Sequence, residues 1–383
     1  MPALLPHVDP DGLLEYSVVY TDRALNHMSA RFQGVMRDIS GVLKEVYHAH
    51  SAVVVPGSGT FGMEAVARQL ANDKKTLVIR TGWFSYRWTQ IIEMGRIGTE
   101  HTVLKARAVA PGRQAAYAPP PITEVQAAIR AGKPDIVFAP HVETAAGIIL
   151  PDDYLRAVAD AAHEVGALFV LDCIASGAVW VDMQATGVDV LVSAPQKGWS
   201  GSPCCAFVML SERARAATLA STSTSFAADL KKWLQIMETY ESGGHAYHAT
   251  LPTDALTVTR DVMLETRAYG WDKLRAAQWE LGRRVRALLA GHGIRSVAAE
   301  GFEAPGVVVG YTDDAGLHSG KAFMAEGVQS AAGVPLQCDE PADFKTFRLG
   351  LFGLEKLDHV ERTAANLEAA LNRILGQSQR AAA

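Results

Sequence analysis

Two residues of this chain have the type and setting for covalent chemistry, Lys197 and Asp172. Lys197 follows the apolar run "VDVLVSA" and lies in "PQKGWSGSP", a Gly/Ser/Pro-rich loop that gives way to a second apolar run, "CCAFVML". Lysines are rarely buried without a partner, so a lysine set between two buried strands needs one. Asp172 closes the run "ALFVLD". An acid at the carboxyl end of a strand in an open α/β sheet opens onto the crevice where ligands bind. A lysine that can form a Schiff base and an aspartate that can hold a pyridinium nitrogen are the pair that pyridoxal phosphate requires. The carboxylate would keep the ring nitrogen protonated, and the freed amine could shuttle a substrate Cα proton.

A third feature is the turn "PGSGTFGMEA", in which Gly57, Gly59 and Gly62 spell G-x-G-x-x-G after the β-branched run "AVVVP". Such glycines allow a tight turn and close backbone approach, and a helix N-terminus favours any phosphate. A nicotinamide site would add an acid at the end of the next strand for the ribose hydroxyl. That strand, "TLVIRTG", ends in Arg80, Thr81 and Gly82, and only Arg80 could meet the extra phosphate of a phosphorylated dinucleotide. The hydroxyls of Ser58 and Thr60 favour a terminal phosphate with several free oxygens.

These residues need elements to position them. From about residue 50 to 210, the runs "AVVVPG", "TLVIRTG", "DIVFAP", "ALFVLD", "VDVLVSA" and "CCAFVML" lack polar alternation, as strands buried on both faces of a mainly parallel sheet do. Helical patterns lie between them. In "PDDYLRAVADAAHEVG", Pro151 opens the helix, Asp152 and Asp153 suit its dipole, and Gly166 suits its end. Alternating units of this kind imply a three-layer αβα domain. After about residue 255 two helices, the strand-like runs "IRSVAA" and "GVVVGYT", and an amphipathic closing helix indicate a smaller α+β domain. The expected division is an N-terminal arm over 1–22, a large domain over 23–255 and a small C-terminal domain over 256–383.

Composition narrows the function. The chain has 383 residues and a net charge of −5, with its basic residues scattered, which argues against binding driven by nucleic-acid phosphates. No window approaches the ~20 apolar residues of a membrane span, and "MPALLPHVDPDGLLEY" lacks the pattern of a secretory signal. Cys173, Cys204, Cys205 and Cys338 have no zinc or C-x-x-C spacing. A cytoplasmic enzyme or binding protein, with Cys204 and Cys205 as reduced core residues and without metal, membrane or nucleic-acid partner, is the expectation.

The chain resembles the class V, fold-type I pyridoxal-phosphate aminotransferases, in particular the alanine–glyoxylate and serine–pyruvate group. "PGSGTFGMEA", "HVETAAG", "VLDCIAS", "SAPQKGWSGSP", "AYHATLP" and "FRLGLFG" carry the resemblance, in order, over nearly all of the chain beyond residue 45. It implies that Lys197 holds pyridoxal 5'-phosphate as a Schiff base and that Asp172 pairs with the pyridine nitrogen. Gln196, Ser58, Gly59 and Thr60 would contact the phosphate, and Thr144 the ring hydroxyl. The pattern Gly–x–aromatic–x–x–Arg in "TGWFSYRW" makes Phe84 the ring-stacking residue, with Trp83 one position away. Tyr247 and Thr250 match residues that reach the phosphate of the other subunit's cofactor, which implies a homodimer with composite sites. Arg348 matches the arginine that forks onto a substrate carboxylate. The implied reaction is ping-pong transfer of an amino group from alanine or serine to glyoxylate or pyruvate.

The sequence departs from the family at "LLPHVDPDGLLEYSVVYTDRALNHMS", where a "PGPTPV"-like segment is common. It departs again at "AGVPLQCDEPADFKTFRLG", where a glycine-rich segment is usual. Both places concern substrate contacts, so another small amine such as 2-aminoethylphosphonate is an alternative donor. Cys338 raises a cysteine desulfurase-like alternative, and the Gly57–Gly62 turn a nicotinamide-dependent oxidoreductase. His141 and Glu143 are read as hydrogen-bond scaffolding. His245 and His248 have a helical metal spacing, but "SGGHAYHAT" reads as a loop.

Overall fold

A computed structural model of the chain describes residue 9 and residues 11–382, with side chains described as far as residue 376. A seven-stranded sheet forms the larger body: β1 (Ser51–Pro56), β2 (Lys75–Arg80), β3 (Glu100–Lys105), β4 (Ile136–Pro140), β5 (Leu168–Asp172), β6 (Val190–Ser193) and β7 (Cys205–Leu210). The spatial order is β1-β7-β6-β5-β4-β2-β3. Strand β7 runs antiparallel to both neighbours, and the other pairings are parallel. All six apolar runs became strands. Every residue of β4 to β7 is buried, so both faces of the sheet are covered by helices, which makes the three expected layers.

Because β1 pairs only with the reversed β7, it points the same way as β2 to β6. The turns after β1, β2, β4, β5 and β6 therefore all open at one edge of the sheet. Helix α1 (Ala30–Tyr47) packs beside β1, α2 (Gly59–Leu70) follows β1, and α3 (Trp83–Gly95) follows β2. The helix expected from Pro151 spans Asp152–Glu164, with Pro151 as its N-cap residue.

Two long helices, Thr253–Tyr269 and Trp271–Gly291, carry the chain out of the sheet. They lead to a three-stranded antiparallel sheet ordered Val307–Tyr311, Thr346–Gly350, Ala331–Ala332. The run "IRSVAA" did not become a strand. It makes two isolated bridges to different partners, Ser296 to Gly310 and Ala298 to Tyr117, and a segment that changes partner after one residue builds no ladder. A helix over Val360–Ala382 closes the fold. Among the described residues no helix is long and apolar enough to cross a membrane.

Candidate active site

The turn after β1 is shaped for close approach. Gly57 has φ +119°, a conformation that side chains rarely adopt. A Cβ on Gly59 would lie 2.5 Å from Ile174 Cδ1, and one on Gly62 would run into the Ala206 Cβ. Ser58 is the N-cap residue of α2, yet its hydroxyl makes no capping bond. The first helical bond is donated by Gly62 to the Ser58 carbonyl, so the Gly59 and Thr60 N–H groups point free at the mouth of the helix.

Lys197 sits on a tight loop after β6. The Ser200 N–H donates to the Lys197 carbonyl at 3.1 Å and the Gly201 N–H to that of Pro195 at 2.9 Å. Gly198 lies so near the Gly177 carbonyl that a Cβ would collide with it. Trp199 anchors this loop: it is 1% exposed, 4.7 Å from the Trp180 ring centroid and 5.8 Å from that of Trp271. Burying a large apolar side chain of this kind contributes roughly 1.5–3 kcal/mol, so the loop's position does not depend on Lys197. The Nζ of Lys197 lies 5.5 Å from the Phe352 ring centroid. Burial lowers its pKa, against the raising effect of Asp172, and the Arg348 and Arg87 charges lower it further.

Asp172 ends the central strand β5, between Pro140 of β4 and Val192 of β6. One carboxylate oxygen accepts from the Ile174 N–H at 2.9 Å. Burial pushes the Asp172 pKa up to about 6, while the Ile174 N–H and the Lys197 charge pull the other way. Ser58, Gly59, Thr60, Phe84 and Thr144 line one cleft with Asp172, Gln196 and Lys197. Thr144 Oγ1 is buried there without a hydrogen-bond partner, which is costly unless a ligand completes it.

Glu143 shapes the same cleft from behind. Fully buried, its carboxylate accepts from the Phe84, Ser85 and Ala145 N–H groups at 3.2, 2.9 and 2.9 Å and from the Ser85 hydroxyl at 2.8 Å. A Cβ on Gly82 would lie 2.6 Å from Glu143 Cγ. Glu143 thus ties the segment bearing Thr144 to the start of α3, which bears Phe84. His141 donates its backbone N–H to the Asp172 carbonyl at 2.8 Å, and its Nδ1 lies 2.7 Å from Ser176 Oγ. Burial drops its pKa to about 3, so the imidazole stays neutral. Both residues are hydrogen-bonded parts of the frame.

Arg348, on the middle strand of the small sheet, reaches across to the large one. Its Cζ lies 5.4 Å from the Phe84 ring centroid, and its Nε donates to the Ala332 carbonyl at 2.7 Å. Burial lowers its pKa, opposed by the Glu143 charge. With Nε committed, the two Nη groups remain as a fork. Trp83 does not line the cleft; its ring lies 5.9 Å from that of Tyr86. Tyr247 and Thr250 lie on an exposed loop outside the cleft, their hydroxyls 3.1 Å apart.

Arg87 also lines the cleft. The sequence placed it in the Gly–x–aromatic–x–x–Arg pattern without a role, since an arginine on a helix ordinarily faces solvent.

The remaining sequence alternatives lose their support. Arg80 is occupied by Thr89 Oγ1 at 2.8 Å and the Gln337 carbonyl at 3.2 Å. Burial pushes the Cys338 thiol up to about 12, the wrong direction for a nucleophile. His248 Nε2 contacts the Phe226 carbonyl at 2.7 Å. Among the described residues no group of His, Cys, Asp and Glu side chains is placed to hold a metal ion.

Known proteins resemble the chain in both sequence and fold. Residues 11–243 match the family described as "Aminotransferase class-V". A 2-aminoethylphosphonate–pyruvate transaminase of Paraburkholderia phymatum is 28% identical over 339 residues, which cover 87% of this chain and 84% of that one. The alanine–glyoxylate aminotransferase of Rattus norvegicus is 26% identical over 70% of this chain and 63% of its own. The fold matches the crystal structure of a ureidoglycine–glyoxylate aminotransferase from Bacillus subtilis with a TM-score of 0.74 and 21% identity, covering 94% of this chain and 88% of that one. The chain belongs to the aminotransferase class-V family, with the fold-type I architecture, and is a transaminase.

Proposed function

We propose that this transaminase uses pyridoxal 5'-phosphate and moves an amino group from alanine or serine to glyoxylate or pyruvate by a ping-pong cycle. The observation that carries the cofactor is the convergence of the Lys197 amine, the Asp172 carboxylate and the unpartnered Thr144 hydroxyl on the free N-terminus of α2. Ser58, Gly59, Thr60 and Gln196 would hold the phosphate, Thr144 the ring hydroxyl, Asp172 the pyridinium N–H, and Phe84 one face of the ring. When bound, the cofactor supplies a sink for the electron pair left as the substrate Cα–H bond breaks. Lys197 Nζ, kept toward its neutral form by burial, takes the proton from that Cα.

Arg348 would bind the substrate's anionic end through its two free Nη groups, a bidentate geometry that lysine does not reproduce. Replacing Arg348 by Met should lower the half-reaction rate constant kcat/KM for alanine by about 10- to 100-fold, as loss of a charged hydrogen-bond pair does, and leave ethylamine, which lacks the carboxylate, nearly unchanged. An equal loss for both amines would rule out carboxylate recognition. A second donor has specific support: the Paraburkholderia phymatum relative is named for 2-aminoethylphosphonate and pyruvate, and a phosphonate suits the same fork.

The reading includes a cytoplasmic homodimer, in which exposed Tyr247 and Thr250 reach the partner's phosphate site. The exposed apolar side chains Phe61, Phe226 and Tyr247 are consistent with a covered surface. Purified protein should be yellow and sediment at twice the 41.1 kDa of the chain. Its visible band should be discharged by alanine, serine or 2-aminoethylphosphonate, the fastest naming the donor. Colourless protein that takes up no pyridoxal phosphate on reconstitution would overturn the cofactor; a monomer would overturn the composite site.

A further inference from the structure

The phosphate cradle described above contains hydroxyls, an amide side chain and backbone N–H groups, and none of these carries a formal charge. A phosphate monoester brings roughly −1.5 to −2 at neutral pH, and a helix N-terminus returns only about +0.5. Lys197 and Asp172 are committed to the aldehyde and the ring nitrogen. One further charged side chain lines the cleft, Arg87 on α3.

Its placement is specific. Nη1 donates to Thr60 Oγ1 at 3.0 Å, so the guanidinium stands beside a hydroxyl at the mouth of α2. Its Cζ lies 5.2 Å from the Phe84 ring centroid, which braces the planar group. It forms no ion pair among the described residues, and most of its five donors are free. Its charge acts on both Asp172 and Lys197, which places it within the site's field and not on a solvated face. A guanidinium that is braced, half-buried and unpaired beside an anion cradle is complementary to a phosphate.

We infer that Arg87 is the cation of the phosphate site, binding the cofactor's phosphate dianion next to Thr60 and the α2 N-terminus. This assignment rests on the cofactor reading above, and the test separates the two. Apoprotein is titrated with pyridoxal phosphate and with pyridoxal, which has the same ring and aldehyde but no phosphate. Arg87→Met should weaken pyridoxal phosphate about 10- to 100-fold, the range expected for a lost charge-assisted hydrogen-bond pair, and leave pyridoxal within about threefold of wild type. Inorganic phosphate should raise the Tm of wild-type apoprotein and should no longer do so in the variant. Arg87→Lys, which keeps the charge but not the fork, should lose part of the phosphate affinity; it carries the comparison if Arg87→Met does not fold. Equal weakening for both ligands would mean that Arg87 acts by holding Phe84 or the fold, and overturns the assignment. Unchanged pyridoxal phosphate affinity also overturns it. Failure of wild-type protein to bind pyridoxal phosphate defeats the cofactor reading itself, and the Arg87 assignment falls with it.

Discussion

Replacing Lys197 by Ala should leave a folded protein that binds pyridoxal phosphate reversibly and transfers amino groups at least roughly 10²–10⁴-fold more slowly, the span that a positioned acid–base group contributes. The fold should tolerate the change because Trp199, Gly198 and the Pro195–Gly201 backbone bond fix the loop. The amine itself makes no hydrogen bond among the described residues and only approaches the Phe352 ring. In the proposed cycle, by contrast, chemistry depends on that one nitrogen. Burial lowers the Lys197 pKa, which increases the share of neutral amine able to attack a carbonyl and to accept a proton from carbon. After borohydride treatment, wild-type protein should carry the cofactor's mass on the peptide containing Lys197, and the variant should carry none. Methylamine added to the variant should restore part of the proton-transfer rate, because alanine leaves a space the size of the missing amine's arm. Labelling of another lysine, or a variant within tenfold of wild-type rate, would remove Lys197 from the reaction.

The candidate site was legible in sequence where residue type and strand ends coincide. Asp172 stands out because an acid closes a uniformly apolar run, and Lys197 because it lies in the polar loop between two such runs. The strands β1, β2 and β4 to β7 were readable for the same reason, since burial on both faces removes polar alternation. Strand β3, "EHTVLK", was not: it lies at the sheet edge, half-exposed, with a composition any loop could share. Helix α1 escaped for a related reason, since "ARFQGVMRDISGVLKEVY" mixes β-branched residues and glycines with its apolar stripe.

Residues that act through space were harder to read. Glu143 looked like one acid beside a histidine, and only the fold brings α3 onto its carboxylate, with Gly82 leaving the room. Arg87 acquires meaning from Thr60 on another helix. Arg348 came from a sequence motif, but its place over Phe84 depends on how the small sheet meets the large one. Type and strand position are local properties, whereas a shared hydrogen bond between distant segments leaves no periodic trace.

Replacing Asp172 by Asn should have opposite signs on activity and on apoprotein stability. Activity should fall about 10²–10⁴-fold: an amide cannot balance a pyridinium, and breaking one side of a buried charge pair costs about 3–5 kcal/mol. Stability should rise, and only at higher pH. The Asp172 carboxyl titrates at about 6 in the folded apoprotein, chiefly because burial penalises its charged form, and near 3.9 when unfolded. Between those values the folded state binds more protons than the unfolded state, so stability falls as pH rises through the window. Below about pH 4 both states hold the proton and the aspartate costs nothing. Above about pH 6 the buried carboxylate costs up to roughly 3 kcal/mol, a cost that asparagine lacks while it keeps an acceptor for the Ile174 N–H. The difference in apoprotein Tm between Asp172→Asn and wild type should therefore be near zero at pH 4, grow across pH 4–6 and level off above it. Saturating pyridoxal phosphate should reverse the order at pH 7, because the seated pyridinium turns the wild-type charge from a cost into a contact. A Tm difference independent of pH would show that the carboxyl is not strained by burial. A variant that keeps its activity would show that it does not face the ring nitrogen.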